Sequence, residues 1–137
     1  MARDVILCVD DEEGVLIALR QQLEPRFGRD CTIATARSGE DAVLLLEELL
    51  REGQSIAVVI ADQIMPGMKG VDLLEQVARR SPSTMKLLLT GQAGLDAVVA
   101  AINRAQLQLY VAKPWDETSL LLAVENVLRQ FRLEREN

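Results

Sequence analysis

Residues 56–62 read Ile-Ala-Val-Val-Ile-Ala-Asp: six unbroken apolar positions, rich in branched side chains, stopped by a carboxylate. A short run of that kind reads as a strand buried on both faces, and such strands belong to parallel sheets covered by helices. The chain repeats this theme in both directions. Upstream, Val5–Val9 is a second apolar run, closed by Asp10-Asp11, and apolar residues at 15, 16, 19 and 23 mark a helix that Pro25 and Gly28 are expected to close. Cys31–Ala36 reads as a strand. Ser38, with Asp41 three positions on, signals the start of a helix whose apolar face is Ala42, Val43, Leu46, Leu49 and Leu50. Downstream, Met65-Pro66-Gly67 is a turn, Gly70–Arg80 a helix broken by Ser81-Pro82, and Met85–Leu89 a strand ending at Thr90. Leu95–Ala105 reads as a helix, Leu107–Ala112 as a fifth strand, and Asp116 onward as a last helix. Five βα units predict a doubly wound α/β domain: a five-stranded parallel sheet with helices on both faces.

Composition narrows the chemistry. The 137 residues carry 15 Lys+Arg against 21 Asp+Glu, a net charge of −6, with 49% hydrophobic residues and no histidine. The absence of histidine removes Ser/His/Asp and Cys/His catalysis and imidazole-ligated zinc. An acidic balance with four aromatic residues and no basic stripe argues against direct nucleic-acid binding. Cys8 and Cys31 are too few for a disulfide scaffold or cysteine zinc site and are expected to be reduced and buried. The longest apolar runs, Ile56–Ala61 and Ala97–Ile102, are too short to cross a membrane. Met-Ala-Arg-Asp leads straight into the first strand without a cleavage site for a signal peptide, so a cytoplasmic location is expected.

In an open α/β sheet, ligands bind beyond the carboxyl ends of the strands. Asp10, Asp11, Asp62, Thr90 and Lys113 all fall on that rim. Singly each has a plain structural role: Asp11 or Glu12 could cap the first helix, and Lys113 could be a solvated lysine. Together the three carboxylates repel by roughly 4 kcal/mol per pair near 4 Å, so the cluster needs cations. Lys113 and one divalent ion would neutralise it, and oxygen-only ligands suit Mg²⁺. Such a rim is equipped to handle a phosphoryl group. Lys113 would neutralise its oxygens, Thr90 Oγ1 would hydrogen-bond one, and Gly91 would offer its backbone N–H. One carboxylate could be the nucleophile of an aspartyl phosphate, and position nominates Asp62.

The set Val9-Asp10-Asp11-Glu12, Ala61-Asp62 with Met65-Pro66-Gly67, Leu89-Thr90-Gly91 and Tyr110-Val111-Ala112-Lys113-Pro114 resembles the receiver domain of bacterial two-component response regulators, over nearly the whole chain. The resemblance implies strand order 2-1-3-4-5. It also implies transfer of a phosphoryl group to Asp62 from the phosphohistidine of a sensor histidine kinase or histidine phosphotransfer protein. Asp11 and Asp62 would ligate Mg²⁺ directly and Asp10 through water, with the backbone carbonyl of Ile64 as a further ligand. The Lys113–Pro114 peptide would be cis. Thr90 and Tyr110 would form a switch that reshapes the face of the fourth helix, fifth strand and fifth helix for an output domain or downstream partner. On this reading the domain is a switch and not a multiple-turnover enzyme.

A phosphorylation-independent, receiver-like interaction module is the alternative. A flavodoxin-like carrier would need a Ser/Thr/Gly-rich cradle where Asp10-Asp11-Glu12-Glu13 stands. A haloacid-dehalogenase-type phosphatase would need an acid at Ile64, and Rossmann binding needs a glycine loop the chain lacks. Gln63, Ile64 and Gln92 flank the expected phosphorylation pocket, and Lys69 stands where it would tune the local field. Leu120, Val124, Val127 and Phe131 form a core-facing stripe that also begins a heptad seam. The receiver is therefore expected over residues 1–130, with 131–137 a helical extension toward an output domain or a homodimer partner.

Overall fold

The computed structural model describes residues 3–91 and 94–135; Gln92 and the last two residues of the 131–137 segment lie outside the described residues. Strands and helices alternate: β1 (Asp4–Val9), α1 (Glu13–Phe27), β2 (Cys31–Ala36), α2 (Gly39–Arg51), β3 (Ser55–Asp62), α3 (Gly70–Arg80), β4 (Met85–Thr90), α4 (Leu95–Ala105), β5 (Leu109–Ala112) and α5 (Glu117–Arg135). Every pairing is parallel, in the order β2-β1-β3-β4-β5. The chain reverses its direction of winding between β1 and β3, which makes the ends of those two strands the crevice of the sheet.

The apolar runs explain the layering. β1 and β4 are buried at every residue and β3 at all but Ser55, because each has a helical layer on both sides. Ile6, Cys8, Ile60, Leu87 and Leu89 pack on α1 and α5 through Leu19, Leu23, Leu120 and Val124. Leu7, Val9, Val59 and Leu88 face α2, α3 and α4 through Leu46, Leu74, Val77 and Val98. Each fully buried leucine or isoleucine stabilises the fold by about 1.5–3 kcal/mol, enough in sum to hold unfavourable carboxylates at the strand ends. Cys8 and Cys31 are free and buried, and burial pushes the Cys8 thiol up to about 12.

Two local expectations change. Pro25 lies inside α1 instead of closing it, and the helix runs to Phe27, where Gly28 N–H donates to Glu24 O at 2.8 Å. Burying Leu23 and Phe27 outweighs the backbone bond that Pro25 cannot make. The fifth strand begins at Leu109, not Leu107. Gln106 adopts a left-handed φ of 56°, and Leu107 N–H closes α4 by donating to Ala101 O at 3.2 Å. The last helix, α5, extends to Arg135. Phe131 is buried, while Arg132 and Arg135 reach Asp4 at 3.7 and 2.8 Å.

Candidate functional site

The turn directly after β1 builds the first half of the site. Asp10 is fully buried, its N–H donating to Ala36 O at 3.2 Å and its Oδ1 accepting from Glu12 N–H at 2.9 Å. That local turn lets Asp10 and Asp11 both reach the rim although neighbours along a strand point to opposite faces. Asp62 ends β3, beside β1. One oxygen from each of Asp10, Asp11 and Asp62 lies within 4.8 Å of the others. Lys113 follows β5, held by its N–H donating to Thr90 O at 2.8 Å. Its Nζ lies 3.0 Å from Asp62 Oδ1 and 3.4 Å from Asp10 Oδ2. The Lys113–Pro114 peptide is cis.

The charges are unevenly satisfied. Burial pushes the Asp62 carboxyl up from its ordinary value; the hydrogen bond from Lys113 opposes this, and the charges of Asp10 and Asp11 reinforce it. For Lys113, burial pulls downward but is outweighed by the hydrogen bond and charge of Asp62 and by Asp10, so its value rises. Asp62 thus carries its charge at a cost even with Lys113 beside it. Three convergent carboxylates with only oxygen donors fit a hard divalent ion such as Mg²⁺.

Backbone contacts shape the pocket. Gly70 opens α3 against the end of β3: a Cβ there would lie 2.5 Å from Asp62 O and 2.9 Å from Gln63 Cα. Gln63 is pinned by its N–H donating to Leu89 O and its carbonyl accepting from Gly70 N–H, both at 3.1 Å. Its Oε1 accepts from Val71 N–H at 2.9 Å, so this amide caps α3. The sequence reading missed Gly70, whose role shows only once Asp62 O is placed against it.

The remaining predicted residues lie around this cluster. Thr90 is buried at the end of β4 and makes no hydrogen bond to the aspartates among the described residues; its Oγ1 approaches Gly91 O at 3.5 Å. Among the described residues, nothing fills the space where a Gly91 side chain would be. The Ile64 side chain is 71% exposed and Tyr110, on β5, 52% exposed, so neither side chain enters the carboxylate cluster. A cavity of about 410 Å³ opens beside the cluster, between α3 and α4, lined by Gln63, Ile64, Thr90, Gly91, Ala97 and Arg104. Arg104, unnoticed in the sequence, joins α4 to α3 through Asp72 at 2.9 Å and Glu75 at 2.8 Å.

This fold and its acidic rim define a small doubly wound α/β module with a carboxylate-lined crevice. Residues 6–125 match the response regulator receiver domain family, and the chain belongs to that family. It is 32% identical over 129 residues to the hydrogenase transcriptional regulatory protein HoxA of Cupriavidus necator, covering 94% of this chain and 25% of that protein. It is 26% identical over 136 residues to the DNA-binding transcriptional regulator NtrC of Salmonella typhimurium, covering 99% and 27%. The chain thus spans about a quarter of the length of these curated relatives. Among solved structures, the signal receiver domain of an HD domain-containing protein from Pseudomonas fluorescens Pf-5 superposes with a TM-score of 0.87 at 35% identity, covering 100% of this chain and 95% of that one. This is a receiver domain of a two-component response regulator, a regulatory module. No helix among the described residues is long and apolar enough to cross a membrane.

Proposed function

We propose that Asp62 is the phosphoacceptor of this receiver. A carboxylate oxygen of Asp62 attacks the phosphorus of a phosphohistidine on a sensor histidine kinase or histidine phosphotransfer protein. The P–N bond breaks, and the imidazole nitrogen leaves with the electron pair and takes a proton from solvent. The observation carrying this reading is the position of Lys113 Nζ, 3.0 Å from Asp62 inside a three-carboxylate cluster at the crevice of the sheet. Lys113 would follow the charge from the carboxylate to the phosphoryl oxygens, Thr90 Oγ1 would donate to one of them, and Gly91 N–H would meet another. Asp11, Asp62 and the Ile64 carbonyl would hold Mg²⁺ directly and Asp10 through water, and the bound ion would offset negative charge on the phosphoryl group. The acyl phosphate is then lost slowly to water, so the domain works as a switch and not by multiple turnover.

The signal leaves by the face of α4, β5 and α5. Thr90 moves toward the phosphoryl group, Tyr110 turns inward into the space it vacates, and an output domain or downstream partner reads the new surface. The receiver proper ends near residue 130 and 131–137 leads toward that output or a homodimer partner, with Phe131 and the Asp4 ion pairs tethering its beginning.

The test is intact mass after exposure to a small-molecule phosphodonor, with and without Mg²⁺. It is paired with a beryllofluoride titration followed by Trp115, whose Nε1 donates to Gln22 of α1 at 2.7 Å. One Mg²⁺-dependent phosphoryl mass, lost in Asp62→Asn, is expected. Phosphorylation of Asp62→Asn at the wild-type rate would overturn the assignment. Absence of any response in the wild type would leave a phosphorylation-independent interaction module.

A further inference from the structure

α4 starts at Leu95 with Gly94 as its N-cap, and no side chain caps it. Glycine is not required there by the backbone: φ −91° and ψ 7° are open to any residue. Gly94 N–H donates to Gly91 O at 3.1 Å and its carbonyl accepts from Val98 N–H at 2.9 Å. Space is the constraint. A Cβ at residue 94 would overlap Thr90 Oγ1 outright and would lie 2.8 Å from Thr90 Cβ. The Thr90 hydroxyl therefore occupies the volume that any other residue at 94 would fill.

Among the described residues, the hydroxyl makes one hydrogen-bond contact, to Gly91 O at 3.5 Å, at the limit of such bonds. A threonine side chain has three staggered wells, and the one seen here is open because residue 94 has no side chain. We propose that Gly94 is a positioning residue. It leaves room for the Thr90 hydroxyl beside α4 at rest; a side chain at 94 would expel the hydroxyl from that well toward the rim shared with Asp62 and, because a Cβ 2.8 Å from Thr90 Cβ is relieved by no χ1 rotation, would shift the first turn of α4 as well. The inference rests on the phosphoacceptor reading for its consequence and on packing alone for the rotamer. Gly94 thus sets how far the resting receiver lies from the state that grips a phosphoryl group, while touching none of the reacting atoms.

The rotamer is read first, in the full chain without Mg²⁺ or phosphodonor. Three-bond couplings from the backbone nitrogen and carbonyl carbon to Thr90 Cγ2 report χ1 directly. A single well is expected for the wild type and a different one for Gly94→Ala. Wild-type couplings averaged over several wells, or an unchanged χ1 in folded Gly94→Ala, overturn the proposal; the wild-type arm decides even if the variant fails to fold. Beryllofluoride affinity is read second, in Mg²⁺. Because apparent affinity scales with the competent fraction, Gly94→Ala should bind roughly three- to tenfold more tightly. That gain should vanish in a Thr90→Ala background, and its persistence there would also overturn the proposal. Failure of beryllofluoride to bind the wild type would defeat the phosphoacceptor reading and leave the rotamer result standing.

Discussion

Replacing Asp62 with asparagine is expected to stabilise the divalent-free fold while removing the proposed phosphoacceptor. The Asp62 carboxylate lies within 4.8 Å of oxygens on Asp10 and Asp11, and at an effective dielectric near 20 each repulsion is about 3.5 kcal/mol. Lys113 Nζ, at 3.0 Å, offsets this by about 5.5 kcal/mol on the same scale. The balance favours loss of the charge by about 1–2 kcal/mol. The upward-shifted Asp62 carboxyl, driven first by burial, agrees in sign. For a domain of this size the gain corresponds to a rise of roughly 3–8 °C in Tm. Thermal and urea melts of both proteins in EDTA at pH 7 measure it. With a raised folded value, the native state binds more protons than the unfolded chain just above the ordinary aspartate range. Wild-type stability therefore falls as pH rises through the folded value, and the gap to Asp62→Asn opens over that interval and closes in acid. Excess Mg²⁺ should narrow or reverse the ranking, because it binds the native wild type. A variant less stable than wild type in EDTA at pH 7, or a gap indifferent to pH, would refute the electrostatic reasoning.

Lys113→Met should act oppositely, costing about 2–4 kcal/mol in EDTA by leaving buried Asp10 and Asp62 without their cation; equal urea midpoints would count against it. The raised value of Lys113 means that its contribution is full below the ordinary lysine range and fades as pH climbs through the folded value. Gly70→Ala should cost about 1–3 kcal/mol, because the atoms its Cβ meets are backbone of Asp62 and Gln63 and cannot rotate away. The same variant should take up phosphoryl groups more slowly, read by intact mass over time. Thiol reagents at pH 8 should label neither Cys8 nor Cys31 until urea unfolds the chain, since burial raises both thiols; rapid labelling of the native protein would contradict their burial.

What the sequence revealed and what it hid have one physical explanation. β1 and β3 are covered on both faces, so burial wrote them as unbroken apolar runs, and the residues ending those runs had to lie on the rim. Asp10 and Asp62 were legible for that reason, before any distance was known. Pro25 was misread because a local rule about helix ends was overridden by the burial of Leu23 and Phe27, which no window around the proline displays. Leu107 was misread because its N–H serves the end of α4, a use that its apolar side chain does not advertise. Gly70 and Gly94 were hidden more deeply. Their contribution is a missing Cβ, and the atoms needing that space, Asp62 O and Thr90 Oγ1, become neighbours only in the fold. A carboxylate or lysine declares the chemistry it can perform, whereas a glycine that makes room for another residue's motion declares nothing until that residue is placed. The charged part of this site can thus be read from strand ends, while the part that would set the resting position of its hydroxyl can be found only by asking what a side chain would strike.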